Sequence, residues 1–116
     1  MKKVLIYGAI ALIAGTSGAA AADVNKTYMR KGDQEIRVFT HEGLLYCRRT
    51  SDDFEMCHGM AEAGAGTFKG DKMKHPDMPQ FMTFDGTVVI GGNKKLSIEG
   101  CMIGGAMCDK EFWDEQ

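Results

Sequence analysis

Only two prolines and one tryptophan occur in the 116 residues, and both prolines fall within residues 75–79. Proline fixes φ and removes a donor, so that stretch is expected to be irregular. Beyond residue 22 no apolar run approaches the roughly 20 residues that a membrane helix needs. Nor does any later window carry the 3.6-residue apolar stripe of an amphipathic helix. Several catalytic signatures are missing too. There is no C-x-x-C, no G-x-S-x-G and no H-E-x-x-H, and the glycines of 64–70 are not followed by the Lys-Ser/Thr of a phosphate loop. His41 beside Glu42 and His58 beside Cys57 are sequence neighbours, which a strand points to opposite faces. An enzyme is therefore not expected. Basic charge is short as well, with 14 Lys and Arg against 16 Asp and Glu, and Arg48-Arg49 is the one arginine doublet. Nucleic acid is not an expected partner.

What is present begins with a leader. Lys2 and Lys3 precede an uncharged, largely apolar stretch over 4–14, then small residues up to Ala20-Ala21-Ala22. That is the layout of a secretory signal peptide over 1–22, with cleavage after Ala22. The leader carries two lysines and no acid, so the remaining 94 residues hold 12 basic and 16 acidic groups, a net charge of −4. A single small β domain over 23–116 is expected, soluble in the periplasm or secreted beyond it.

All four cysteines remain in that domain, and an exported chain turns them into disulfides. Cys101 and Cys108 bracket Gly104-Gly105, a pair suited to a tight hairpin. A two-residue turn there makes the cysteines a wider, hydrogen-bonded pair; a four-residue loop over 103–106 makes them the closer type. Cys47 and Cys57 are centred on Asp52, and a three-residue turn pairs Thr50 with Phe54 and Cys47 with Cys57. Local bridges, Cys47–Cys57 and Cys101–Cys108, are thus expected. Each contributes about 2.5–3 kcal/mol by restricting the unfolded chain.

Strands are expected over 35–41, 44–49, 54–58, 87–90 and 96–99. Residues 59–70 read as a loop, and Asp85-Gly86 and Gly91-Gly92-Asn93 as turns. The fold class is all-β: a small antiparallel meander or partly open barrel, lipocalin-like at most, stapled by two disulfides.

The C-terminal half carries more specific marks. Gly66-x-Phe68-x-Gly70 is followed by Met73-Lys74-His75-Pro76-Asp77-Met78-Pro79 and Phe84-Asp85-Gly86-Thr87-Val88. Leu96-Ser97-Ile98-Glu99-Gly100-Cys101 then leads to Gly104-Gly105-Ala106-Met107-Cys108 and Trp113. Over residues 66–113 this resembles the uncharacterised bacterial secreted family numbered 2147 among the domains of unknown function. The resemblance implies an envelope β domain and transfers no catalytic residue.

Two candidate sites emerge from the residues themselves. Met56-x-His58-x-Met60 and Met73-x-His75-x-x-Met78 share a layout, and Met82 lies four residues further. Thioether and imidazole donors suit Cu(I), although methionines also fill irregular gaps in small cores. The second candidate is a small apolar ligand held among Phe39, Tyr46, Phe68, Phe81, Phe84 and Trp113, with Phe81, Phe84 and Trp113 as the pocket set. In a domain this small the same aromatics serve equally as core. The expected function is a binding or interaction module for a small ligand or an envelope protein. The alternative is a periplasmic copper-binding protein.

Overall fold

The computed structural model describes residues 23–102 and 107–116; the expected leader and the expected Gly104-Gly105 turn lie outside the described residues. Eight strands follow one another: β1 (Asn25–Arg30), β2 (Gln34–His41), β3 (Leu44–Arg49), β4 (Glu55–Glu62), β5 (Thr67–Met73), β6 (Phe84–Ile90), β7 (Lys95–Cys101) and β8 (Cys108–Glu115). Each pairs antiparallel with its sequence neighbour, and β8 also pairs with β1, so the expected meander closes into a barrel. Closure gives every described strand a neighbour on both sides, although the closing β8–β1 pair is short.

Alternation builds the interior. Tyr28 and Arg30 point inward from β1, Ile36 and Val38 from β2, Leu45 and Cys47 from β3, Val88 from β6, Leu96 and Ile98 from β7, and Trp113 from β8. The β2–β3 hairpin is tight. Its two central residues, Glu42 and Gly43, have φ of 53° and 80°, as the right-handed twist of a two-residue hairpin demands.

The register shifts at three places, twice between β3 and β4 and once between β5 and β6, and two of these shifts shape the site. In β4, Cys57 faces Cys47 while Glu55 faces Arg48, which leaves Met56 as an extra residue. Met56 and Cys57 are consequently both buried, although they are consecutive. In β5, the step from Gly70 to Met73 lies opposite the shorter step from Gly86 to Phe84. That extra residue returns Met73 to the inner face.

Three local expectations need correction. Residues 59–70 are not a single loop: β4 runs on to Glu62 and β5 starts at Thr67. Their glycines hid two strands that are short of large apolar side chains. Asp85-Gly86 is not a turn but part of β6. Gly86 is there because a Cβ at that position would lie 1.5 Å from the sulfur of Met73. Lastly, the Arg49 N–H, rather than that of Thr50, donates to the Phe54 carbonyl, a consequence of the β4 bulge.

Both expected disulfides are present. The Cα atoms of Cys47 and Cys57 are 4.6 Å apart, and those of Cys101 and Cys108 are 4.1 Å apart. Both separations match the closer, non-hydrogen-bonded pair. The Met102 N–H donates to the Met107 carbonyl, which makes those two the hydrogen-bonded pair beside the cysteines. The bridges occupy opposite faces of the wall: Cys47 and Cys57 are wholly buried inside, whereas Cys108 is exposed. Thiol–disulfide exchange requires access to sulfur. A mild thiol reductant should therefore open Cys101–Cys108 before Cys47–Cys57. Alkylation with mass mapping over time checks the order, and simultaneous labelling of all four cysteines would contradict it.

Candidate functional site: a methionine-lined pocket at one barrel end

The β1–β2, β3–β4, β5–β6 and β7–β8 connections gather at one end of the barrel. A cavity of about 460 Å³ opens there. Its walls include Met56, Met73 and Phe84 from β4, β5 and β6, and Ile98 and Gly100 from β7. Met78 belongs to the β5–β6 connection, and Met102 and Met107 flank the β7–β8 loop. Of nine methionines in the chain, five line this one space, so the residue is concentrated here rather than scattered through the core.

Glycines make the room. The Met73 thioether lies over Gly86, and its methyl would be 3.8 Å from a Cβ on Gly100. Met56 and Met73 are nearly fully buried and form the floor. Met78 is 38% exposed and Met107 78% exposed, so these two stand at the mouth.

The other side of the same barrel end is polar. Arg30, 1% exposed, gives both Nε–H and an Nη2–H to Glu111, at 2.7 and 2.8 Å. Its Nη1–H donates to Gln34 Oε1 at 2.9 Å, and Arg49 donates to the same oxygen at 3.1 Å. The Trp113 indole N–H donates to Glu111 Oε1 at 3.0 Å. These donors hold the Glu111 carboxyl down to about 2. The Arg30 hydrogen bonds lead; burial opposes them; Trp113 and the charges of Arg30 and His75 add to them. Asp52, in the exposed β3–β4 turn, is likewise lowered to about 2, first by hydrogen bonding from Arg49.

His75 lies at the pocket edge. Its Nδ1 accepts the Asp77 N–H at 3.1 Å, and Nε2 stands 3.8 Å from Glu111 and 4.0 Å from Asp109. Nδ1 accepting from Asp77 directs an Nε2–H at the two carboxylates.

The structure therefore brings together Met56, Met73, His75 and Met78 from the expected metal set. It does not bring His58 or Met60. His58 is outside the barrel, 2.7 Å from Glu55 and edge-on to Tyr46. Met60 is buried in the core against Gly70. Of the expected aromatic pocket set, Phe84 lines the cavity. Phe81 is 85% exposed, and Trp113 is in the core, where it supports Glu111. Phe39 and Tyr46 stack on the outer face, and Phe68 is core. Sequence reasoning missed Arg30, Glu111, Met102 and Met107 as site residues. The last two had a signal, since hairpin pairing already sets them opposite each other beside the cysteines.

Glu111 ties stability to acidity. Its folded value is depressed, so its contribution is complete above the unfolded carboxylate value of about 4.5 and is lost as pH falls toward about 2. Urea unfolding followed by Trp113 fluorescence should show stability falling across that window. Glu111→Gln should cost on the order of 1.5–3 kcal/mol at neutral pH, the usual value of hydrogen bonds to a charged group. It should also flatten the acid slope without abolishing it, because Asp52 titrates there too. An unchanged slope would contradict this reading.

Comparisons with protein-family models, curated proteins and solved structures find no match to this chain.

Proposed function

We propose that this protein is an exported binding barrel of the bacterial envelope, and that it takes a small ligand into the methionine-lined pocket. One observation carries the reading. Side chains from separate strands and two connections surround a space of about 460 Å³ instead of filling it. In a small domain, where core area is scarce, an apolar void at a barrel mouth costs stability and calls for an occupant. Barrels of eight strands have an interior able to hold one small ligand.

The chemistry of the edge favours binding over catalysis. Glu111 is committed to Arg30 and Trp113 and stays ionised over the whole working pH range. The His75 ring is held by the Asp77 N–H. The leader pattern, the two disulfides and the resemblance to the secreted family support an envelope setting.

An apolar fluorescent probe, 1-N-phenylnaphthylamine, tests the pocket. One probe per barrel is expected. A Cβ on Gly100 would meet Phe84 and Met73 only at ordinary contact, 3.7 and 3.8 Å, so Gly100→Leu fills the space with little backbone strain. That variant should weaken probe binding at least about tenfold with an unchanged far-ultraviolet dichroism spectrum, since a filled pocket excludes the ligand. Undiminished binding in Gly100→Leu, or none in the native protein, would refute the pocket as the site.

A further inference from the structure

We propose that the pocket's ligand is a soft monovalent cation, Cu(I) or its redox-inert analogue Ag(I), held by thioether sulfur alone. This rests on the pocket being the binding site and names what fills it. Five thioethers meet at one cavity: Met56 and Met73 at the floor, Met102 half-buried, Met78 and Met107 at the mouth. Thioethers are neutral, polarisable donors that select soft ions over Mg²⁺, Ca²⁺ or Zn²⁺. They carry no proton in the working range, so protons do not compete with the metal.

Two of the three harder donors nearby are otherwise engaged. His75, Asp109 and Glu111 place one ligand atom each within 4.8 Å of one another, which on distance alone fits a divalent ion. Yet both Glu111 oxygens accept from the buried Arg30 guanidinium, whose charge repels a second cation at the same carboxylate. With Nδ1 accepting the Asp77 N–H, His75 offers Nε2–H, not a lone pair, toward that cluster. Asp109 is exposed at the rim, and thioether sulfur is the donor type that lines the cavity from floor to mouth.

Burial also gives the site a direction. Met78 and Met107, the most exposed of the five, are where an incoming ion meets the protein first. Met102 follows, and Met73 and Met56 lie deepest. A thioether ladder passes an ion inward by exchanging one neutral donor for the next, with no change in charge or protonation.

Methionine-to-leucine exchange separates this idea from the pocket itself, because it removes sulfur while conserving volume and apolarity. The experiment is titration of the methyl-¹³C-methionine protein with Ag(I), followed by competition with bicinchoninate for Cu(I). One equivalent of Ag(I) should shift the methyl signals of Met56, Met73, Met78, Met102 and Met107, and leave those of Met29 and Met60 in place. The double variant Met73→Leu/Met102→Leu should lose at least about tenfold in Cu(I) affinity and still bind 1-N-phenylnaphthylamine. Loss of even an outer-shell partner of a metal ligand typically weakens metal binding about 10- to 100-fold, so removal of two donors should cost at least that. Full Cu(I) affinity in the double variant would overturn the proposal. So would the absence of any Ag(I) shift in a native protein that binds the probe. Native protein that binds neither probe nor metal would instead bring down the pocket reading on which this one rests.

Discussion

The barrel depends on how its last strand meets its first. β8 pairs with β7 through seven residue pairs, from Cys108 to Asp114, but with β1 through only two, Asp114 with Met29 and Glu115 with Tyr28. Toward the pocket the backbones part, and the seam is spanned by side chains: Arg30 of β1 grips Glu111 of β8 with two parallel hydrogen bonds. The pair is nearly enclosed, with Arg30 1% and Glu111 20% exposed. A buried ion pair adds little net stability over an apolar substitute, but loss of one partner strands the other's charge. Its value here is geometric: it fixes where the seam stands and so frames one wall of the cavity.

The opposite wall follows from two insertions in the pleat. A strict alternation would send Met56 outward beside an inward Cys57, and would leave Met73 out of phase with Gly70. The bulges turn both sulfurs inward. Gly86 and Gly100 then supply the clearance, since side chains there would occupy the space of the Met73 thioether and the cavity beside it. Polar network and methionine pocket thus divide one barrel end between them. The first is rigid and charged; the second is apolar and open.

Much of the fold was legible because its strongest signals were local. The two cysteine pairs sit symmetrically about turn-forming residues, and hairpin parity puts each pair in bridging distance. The strands at 35–41, 44–49 and 96–99 alternate cleanly. What escaped the sequence were strands whose inward positions are not large hydrophobes. β1 turns a Tyr and an Arg inward, and β5 turns a Phe, a Gly and a Met inward. A buried Arg30 reads as a surface residue until its partner, 81 positions away, is known. The site was half legible for the same reason. Met73-x-His75-x-x-Met78 is contiguous and stood out, whereas Met102 and Met107 join it only through closure of the sheet. His58 matched the pattern by spacing alone, and strand alternation carried it to the outer face.

The central claim, that Arg30 and Glu111 act as one unit holding the seam, is open to a double-mutant cycle. The native protein, Arg30→Met, Glu111→Leu and the double variant would be compared by urea unfolding at pH 7. Residues in direct contact couple by about 0.5–3 kcal/mol. The account predicts a coupling above about 1 kcal/mol, with the double variant more stable than either single one. Additivity within about 0.5 kcal/mol would contradict it.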